Sequence, residues 1–193
     1  MMDLEVSKKD LRRSRIRARE ALSEEEKIAK SCEICKNIVN LPEYSAAEII
    51  FAYKWVRGEV RLDELEKAAA RDGKRLVYPL CISKTEMIAV EPGKAEGAWK
   101  DSGSFGIREP DPDKGRICAP EEINLVICPC TSFDEKGRRL GMGGGYYDRY
   151  LPGCSRASIM AVAYEVQKAE DIPTEEYDYK VQAVISEKKI YKI

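Results

Sequence analysis

The chain has 193 residues, 44% of them hydrophobic, which is enough for one domain with a real core. Its 33 Lys and Arg residues nearly cancel its 34 Asp and Glu residues, so net charge selects no class of partner and any charged site must be local. Histidine is absent, which excludes a Ser-His-Asp triad, a Cys-His pair, a histidine base and every histidine-containing metal site.

No uninterrupted apolar run reaches membrane-spanning length. The start, Met1 to Lys9, has no apolar segment behind a basic region, so it does not read as a secretory signal. The seven cysteines are odd in number and scattered. Free thiols in a reducing cytoplasm are the expectation.

Taken in order, residues 7–20 predict a basic helix, with Lys8, Arg12, Arg15 and Arg19 along one stripe and Leu11 and Ala18 available to a core. Three readings stay open for that stripe: a solvated face, a nucleic-acid contact, or an arm over a nucleotide's phosphates. Ser23 and Glu26 have capping-box spacing and predict a second helix to about Asn40, with Ile28, Cys32, Cys35, Ile38 and Val39 inward. Leu41-Pro42 ends it. Glu48–Lys54 reads as a buried strand delivering Trp55 and Glu59 to a strand end. A helix over Arg61–Arg71, closed by Asp72-Gly73, follows, and then a strand from Arg75 to Leu80. Met87–Val90 reads as a short edge strand, and Glu91–Gly115 as a long irregular segment. Asn124–Cys130, Ala157–Tyr164 and Val181–Ser186 read as further buried strands, with Lys188–Tyr191 at an edge. This alternation predicts a three-layer α/β fold in one domain over 1–193, with a mostly parallel central sheet and helices on both faces.

The most informative stretch runs from Gly137 to Tyr150. Glycines ahead of a helix expose backbone N–H groups, and a helix start near Tyr146 would add partial positive charge, so the two make an anion site. Arg139 adds a full charge. No Gly-Lys-Ser/Thr closes the loop, so this is not a P-loop, and the strand-to-glycine spacing does not suit a dinucleotide fingerprint. Asp148 reads either as a first-turn helix charge or as a ligand for a phosphate-bound divalent cation, with Asp178 supplying a second carboxylate.

The pattern Phe133-Asp134-x-x-Gly137-x-Arg139-Leu140-Gly141-x-Gly143-x-Gly145-Tyr146-Tyr147-Asp148 closely resembles the signature of the 5-formyltetrahydrofolate cyclo-ligase family. Lys8-Lys9-x-x-Arg12, Glu59, Phe105-Gly106-Ile107-x-Glu109-Pro110 and Asp178 resemble further family positions, in order along nearly the whole chain. The resemblance implies ATP-driven cyclisation of 5-formyltetrahydrofolate to 5,10-methenyltetrahydrofolate by way of a phosphorylated formyl oxygen. It implies that Lys8, Lys9, Arg12, Arg139, Leu140, Gly141, Met142, Gly143, Gly144, Gly145, Tyr146 and Tyr147 hold ATP. Asp148 and Asp178 would hold Mg²⁺. Lys54, Trp55, Glu59 and Tyr146 would meet the folate, and Arg139 and Tyr146 would act at the reacting centre. Small-molecule substrates are then expected, with no nucleic-acid or membrane partner, on a monomer. A nucleotide- or RNA-binding module and a phosphotransferase for another small molecule are the alternatives. The chain departs from the family pattern at Met142 and Gly144, where many relatives carry a basic or aromatic residue. Phosphate charge is then lower here or comes from Arg138. Tyr177 and Gln182 also depart from the family's acidic C-terminal site.

Overall fold

A computed structural model describes residues 7–101 and 108–193. Phe105, Gly106 and Ile107 of the expected mid-chain motif lie outside the described residues. The elements are α1 (Lys8–Glu20), α2 (Glu24–Val39), α3 (Pro42–Ala46), β1 (Ile49–Phe51), α4 (Asp63–Arg71), β2 (Arg75–Cys81), β3 (Met87–Glu91), β4 (Trp99–Lys100), β5 (Glu109–Pro110) and β6 (Arg116–Cys118). They continue with β7 (Leu125–Pro129), β8 (Ser132–Phe133), β9 (Arg139–Leu140), α5 (Tyr146–Tyr150), β10 (Ser158–Val162), β11 (Ala183–Ile185) and β12 (Ile190–Lys192).

Eight strands form the central sheet in the order β12-β11-β10-β7-β1-β2-β3-β6. The five inner strands, β11 to β2, pair in parallel. The outer strands β12, β3 and β6 pair antiparallel. The expected edge strand β3 is therefore interior, because β6, directly after the segment read as irregular, pairs along it. The chain leaves β1 towards β2 on one side and returns to β7 on the other. The strand order thus reverses between β1 and β7, where open α/β sheets hold ligands at the C-terminal strand ends.

Alternating side chains feed two cores. Ile50, Leu125 and Ile127 point to the face covered by Ile34, Ile38 and Leu65 of α2 and α4. Ile49, Phe51, Val126 and Cys128 point to the other. There α5 and the single turn Leu151–Gly153 form the cover, with Tyr150 and Tyr147 set 5.3 Å and 6.1 Å from the Phe51 ring.

The capping box forms as expected: Ser23 Oγ accepts from Glu26 N, and Glu26 accepts from Ser23 N. The helix phase differs. Ile28 is 48% exposed and Cys32 is exposed, while Lys27, Ser31, Ile34, Cys35 and Ile38 face inward. Gly73, with φ 68°, closes α4 after Asp72. The expected strand over 48–54 is regular only across Ile49–Phe51, because the backbone then turns into the loop that forms the site.

Candidate active site

A cleft of about 300 Å³ opens at the β1–β7 reversal. One wall comes from the turn after β1, with Tyr53, Lys54, Val56, Arg57 and Glu59, and a second from Tyr78, Pro79 and Cys81 of β2. The end of β7 supplies Pro129, Cys130 and Thr131, and the glycine segment supplies Arg139, Gly141, Met142 and Gly144 to Asp148.

Local chemistry fixes the glycine segment. Asp134, fully buried, accepts from Lys136 N at 2.9 Å, Arg138 N at 3.0 Å and Arg138 Nε at 2.6 Å, and so closes the β8–β9 hairpin. Gly137 sits at φ 75° with the Val181 carbonyl oxygen 2.5 Å from where a Cβ would stand, which restricts the position to glycine. Leu140 is buried with Leu11, Ala169 and Ile172, and this contact seats α1 on the loop. Gly143 and Gly145 take φ 102° and 65°. The helix that follows starts at Tyr146 as expected and is only the five residues of α5. Its dipole is correspondingly small, so loop N–H groups and side-chain cations carry the anion-binding capacity.

Those cations converge from distant parts of the chain. Arg12 Nε donates to Gly141 O at 2.8 Å, and its guanidinium carbon lies 3.7 Å from a Cβ built on Gly143. Lys8 Nζ donates to Asp178 Oδ2 at 2.6 Å. Arg139 Nη2 donates to Asp148 Oδ1 at 2.9 Å, and the same oxygen accepts from Tyr179 N at 3.2 Å. Lys8, Arg12, Arg139, the glycine loop, Asp148 and Asp178 thus form one continuous cluster. Lys9 is exposed beside it. Of the three readings open for the α1 stripe, the solvated face does not hold: Arg15 reaches Val166 O at 3.4 Å, and Arg19 is buried. Arg139 borders the cleft from within its wall, with its side chain only 2% exposed.

Arg138 does not supply charge to the loop. It is held by Asp134 and by Asp171, away from the glycines. Met142 is exposed on the loop. Gly144 lies against Tyr146, whose ring atoms would be 2.9 Å and 3.0 Å from an added Cβ. Tyr146 Oη donates to Ser83 O at 3.0 Å.

The opposite wall is differently built. Lys54 Nζ is paired with Glu66 at 2.6 Å and lies 4.9 Å and 5.0 Å from the Tyr78 and Trp99 ring centres. Trp55 stands outside the cleft, 37% exposed, with the Arg61 guanidinium 4.4 Å from its ring centre. Glu59 is buried in the wall. One carboxylate oxygen accepts from Val56 N at 3.2 Å. Burial pushes its carboxyl above the usual range, and the charges of Arg19 and Arg57 and the Val56 hydrogen bond offset that only in part. Burial also raises the Tyr53 and Tyr147 phenols far up and the Cys130 thiol to about 12. At neutral pH these groups are uncharged, which leaves no thiolate nucleophile at Cys130.

Sequence reasoning missed Gln167. Fully buried, it donates to Cys130 O at 2.8 Å and Thr131 O at 3.1 Å and accepts from Tyr164 N at 3.0 Å, satisfying the backbone where β7 ends. No local pattern marks its role at β7, because Cys130 and Thr131 lie 37 and 36 residues away in sequence.

Among the described residues no group of three or more Cys, Asp or Glu side chains forms a metal cage. Asp148 and Asp178 each have one oxygen engaged, through Oδ1 and Oδ2 respectively. The other oxygen of each has no hydrogen-bond partner among the described residues. That donor set fits a magnesium ion bound mainly by phosphate and water.

Known proteins share this architecture over most of the chain. A 31% identical sequence of Schizosaccharomyces pombe, described as a probable 5-formyltetrahydrofolate cyclo-ligase, aligns over 180 residues, covering 85% of this chain and 87% of the relative. The solved structure of an Aquifex aeolicus 5,10-methenyltetrahydrofolate synthetase superposes with a TM-score of 0.83 at 31% identity, covering 96% of this chain and 92% of that one. The corresponding enzyme of Mycoplasma pneumoniae gives 0.77 at 27% identity, over 94% and 99%. The model of the 5-formyltetrahydrofolate cyclo-ligase family matches residues 5–187, and with the fold and the glycine segment in agreement, the chain belongs to that family.

Proposed function

We propose that this protein is an ATP- and Mg²⁺-dependent 5-formyltetrahydrofolate cyclo-ligase that forms 5,10-methenyltetrahydrofolate, ADP and phosphate. The observation that carries the reading is the junction of two unlike surfaces. A cationic glycine loop suited to phosphates adjoins a cleft walled by aromatic rings and one buried carboxylate. Lys8, Lys9, Arg12, Arg139 and the segment from Leu140 to Tyr147 are assigned to ATP. Glu59 is assigned to the N–H donors of the pterin, with Lys54 and Tyr146 at the folate and Trp55 at the rim.

A formamide carbon is a poor electrophile. Transfer of the terminal phosphoryl group of ATP to the formyl oxygen expels ADP and makes that oxygen a good leaving group. Nitrogen 10 then bonds to the formyl carbon and loses its proton, and phosphate departs with the former formyl oxygen. Such a transfer needs positioning and charge stabilisation rather than a protein nucleophile, in keeping with a chain without histidine. Arg12 and Arg139 stabilise charge on the phosphates, while Tyr146 at the loop end separates nucleotide from folate. Asp148 and Asp178 would hold Mg²⁺, which supplies charge neutralisation on the phosphates when bound.

ADP release across a panel of formylated and unformylated small molecules tests the assignment. Release that requires 5-formyltetrahydrofolate supports the cyclo-ligase. Release with another acceptor and none with this one assigns the site to a different phosphotransferase. The RNA-binding alternative loses its main support from the α1 stripe, because Lys8, Arg12, Arg15 and Arg19 face the protein.

A further inference from the structure

The turn that carries Glu59 is strained at its tip. Val56 O accepts from Glu59 N at 3.0 Å, and both central residues take positive φ, 47° at Arg57 and 72° at Gly58. This is the type I′ pattern, whose first central position favours Asn, Asp or Gly. Arg57 is the one non-glycine residue with positive φ among the described residues, and a Cβ makes that region unfavourable. The fold does not use its side chain in return. Val56 N donates to a Glu59 carboxylate oxygen at 3.2 Å, and the Tyr53 and Tyr164 hydroxyls donate to Val60 O and Glu59 O at 2.8 Å and 3.2 Å, so other groups hold the turn. The Arg57 side chain is exposed, makes no hydrogen bond or ion pair among the described residues, and lines the cleft. Backbone strain that serves no packing points to a functional site.

A second arginine reaches the same cleft from another element. Arg108 directly precedes β5, whose Pro110 pairs with Trp99 of β4. Trp99 packs edge-on against Tyr78 of β2, with ring centres 4.9 Å apart, and the Arg108 guanidinium lies 5.8 Å from the Trp99 ring centre. Its ion pair with Asp101, at 3.0 Å, joins side chains 60% and 84% exposed. Such an exposed pair contributes little and yields to a better partner.

The strand order β7-β1-β2 sets these groups along the cleft. The glycine loop follows β7, the Arg57–Glu59 turn follows β1, and Tyr78 of β2 carries the β4–β5 hairpin at the far end. The phosphate end has Arg12 and Arg139 of its own. At the far end Lys54 is already held by Glu66 at 2.6 Å, which leaves Arg57 and Arg108 as uncommitted cations. A guanidinium matches a carboxylate with two parallel N–H donors.

We propose that Arg57 and Arg108 bind the carboxylates of the substrate's glutamate tail and make the cleft selective for a substrate that carries them. The proposal rests on the reading of this cleft as the folate site. With the formyl group towards the glycine loop and the pterin on Glu59, the tail leaves over β2, where both arginines stand. Neither residue is among those that carry the family resemblance.

The test compares Arg57→Gly, Arg108→Gln and the double variant with the unaltered protein. The ligands are 5-formyltetrahydrofolate and its diamide, in which both tail carboxylates are neutral and the shape is kept. Calorimetry gives the Kd of each, and methenyl absorbance gives KM and kcat. At low salt the unaltered protein should bind the diacid about tenfold more tightly than the diamide, each single substitution should cut that ratio about threefold, and the double variant should bring it near one. The preference should shrink as salt rises. The loss should appear in the folate KM rather than in kcat or the ATP KM. Glycine accepts the left-handed turn, so Arg57→Gly should melt no lower than the parent; a clearly lower melting temperature assigns the arginine to the fold and overturns its role. A preference that survives in the double variant, an equal weakening of both ligands, or a raised ATP KM with the folate KM unmoved overturns the proposal. Binding of neither ligand refutes the folate reading and the proposal with it. An arginine-dependent preference for the diacid in a protein that forms no chromophore upholds the tail site and refutes the cyclo-ligase reading instead.

Discussion

Replacing Arg139 by alanine removes a buried cation from between the glycine loop and the Asp148 carboxylate. The pair is 2.9 Å long, with side chains 2% and 23% exposed. Breaking a buried pair costs about 3–5 kcal/mol, and Asp148 keeps some water and the Tyr179 N–H, so the low end, about 3 kcal/mol, applies. Loss of the guanidinium 5.8 Å from the Tyr147 ring centre adds a smaller amount. For a chain of this size 1 kcal/mol moves the melting temperature by about 2–4 °C, so Arg139→Ala should melt about 6–12 °C lower. Turnover should fall about 10²–10³-fold, as expected for removing one preorganised group that stabilises transition-state charge. Thermal denaturation followed by circular dichroism, together with chromophore formation at a temperature where the variant is folded, measures both. Arg139→Lys should recover part of the stability and little of the turnover, since an ammonium lacks the planar fork. A variant that melts within about 2 °C of the parent, or that is folded and fully active, refutes the role given to this pair.

Two further predictions concern the carboxylates. Burial raises the Glu59 carboxyl in the folded state, so its stabilising contribution is complete below the unfolded value and is lost as pH rises through the folded one. Glu59→Gln should therefore be more stable than the parent at neutral pH and lose that advantage as the pH falls through this window, while binding folate less well; urea titrations at several pH values measure it. Asp148→Asn should raise the Mg²⁺ concentration for half-maximal turnover several-fold, and an unchanged requirement would assign Asp148 to the Arg139 pair alone.

Local signals were read correctly where they depend on near neighbours. The capping box at Ser23 and Glu26, the break at Leu41-Pro42 and the Asp72-Gly73 stop are each completed within a few residues. Signals that depend on tertiary packing were not. Ile28 and Ile34 are equally apolar, and only the docking of α2 on the sheet decides that Ile34 is buried. Arg19 reads as one more member of a basic helix, yet its i, i+4, i+8 relation to Leu11 already sets it on the buried face. Arg138 and Arg139 are adjacent and chemically alike. Arg138, in the turn before β9, goes to Asp134 and Asp171, while Arg139, the first residue of β9, goes to Asp148, and the Asp171 partner lies 33 residues away. The glycine pattern conveyed that a loop binds close to its ligand, but not that α1 folds back to place Arg12 on it.

The central claim is tested most directly in one cuvette. The protein, ATP, Mg²⁺ and 5-formyltetrahydrofolate should together generate the near-ultraviolet absorbance of 5,10-methenyltetrahydrofolate at neutral pH, with no increase when ATP or Mg²⁺ is omitted. A folded protein that gives no absorbance change with all components present, or the same change without ATP, would contradict the account.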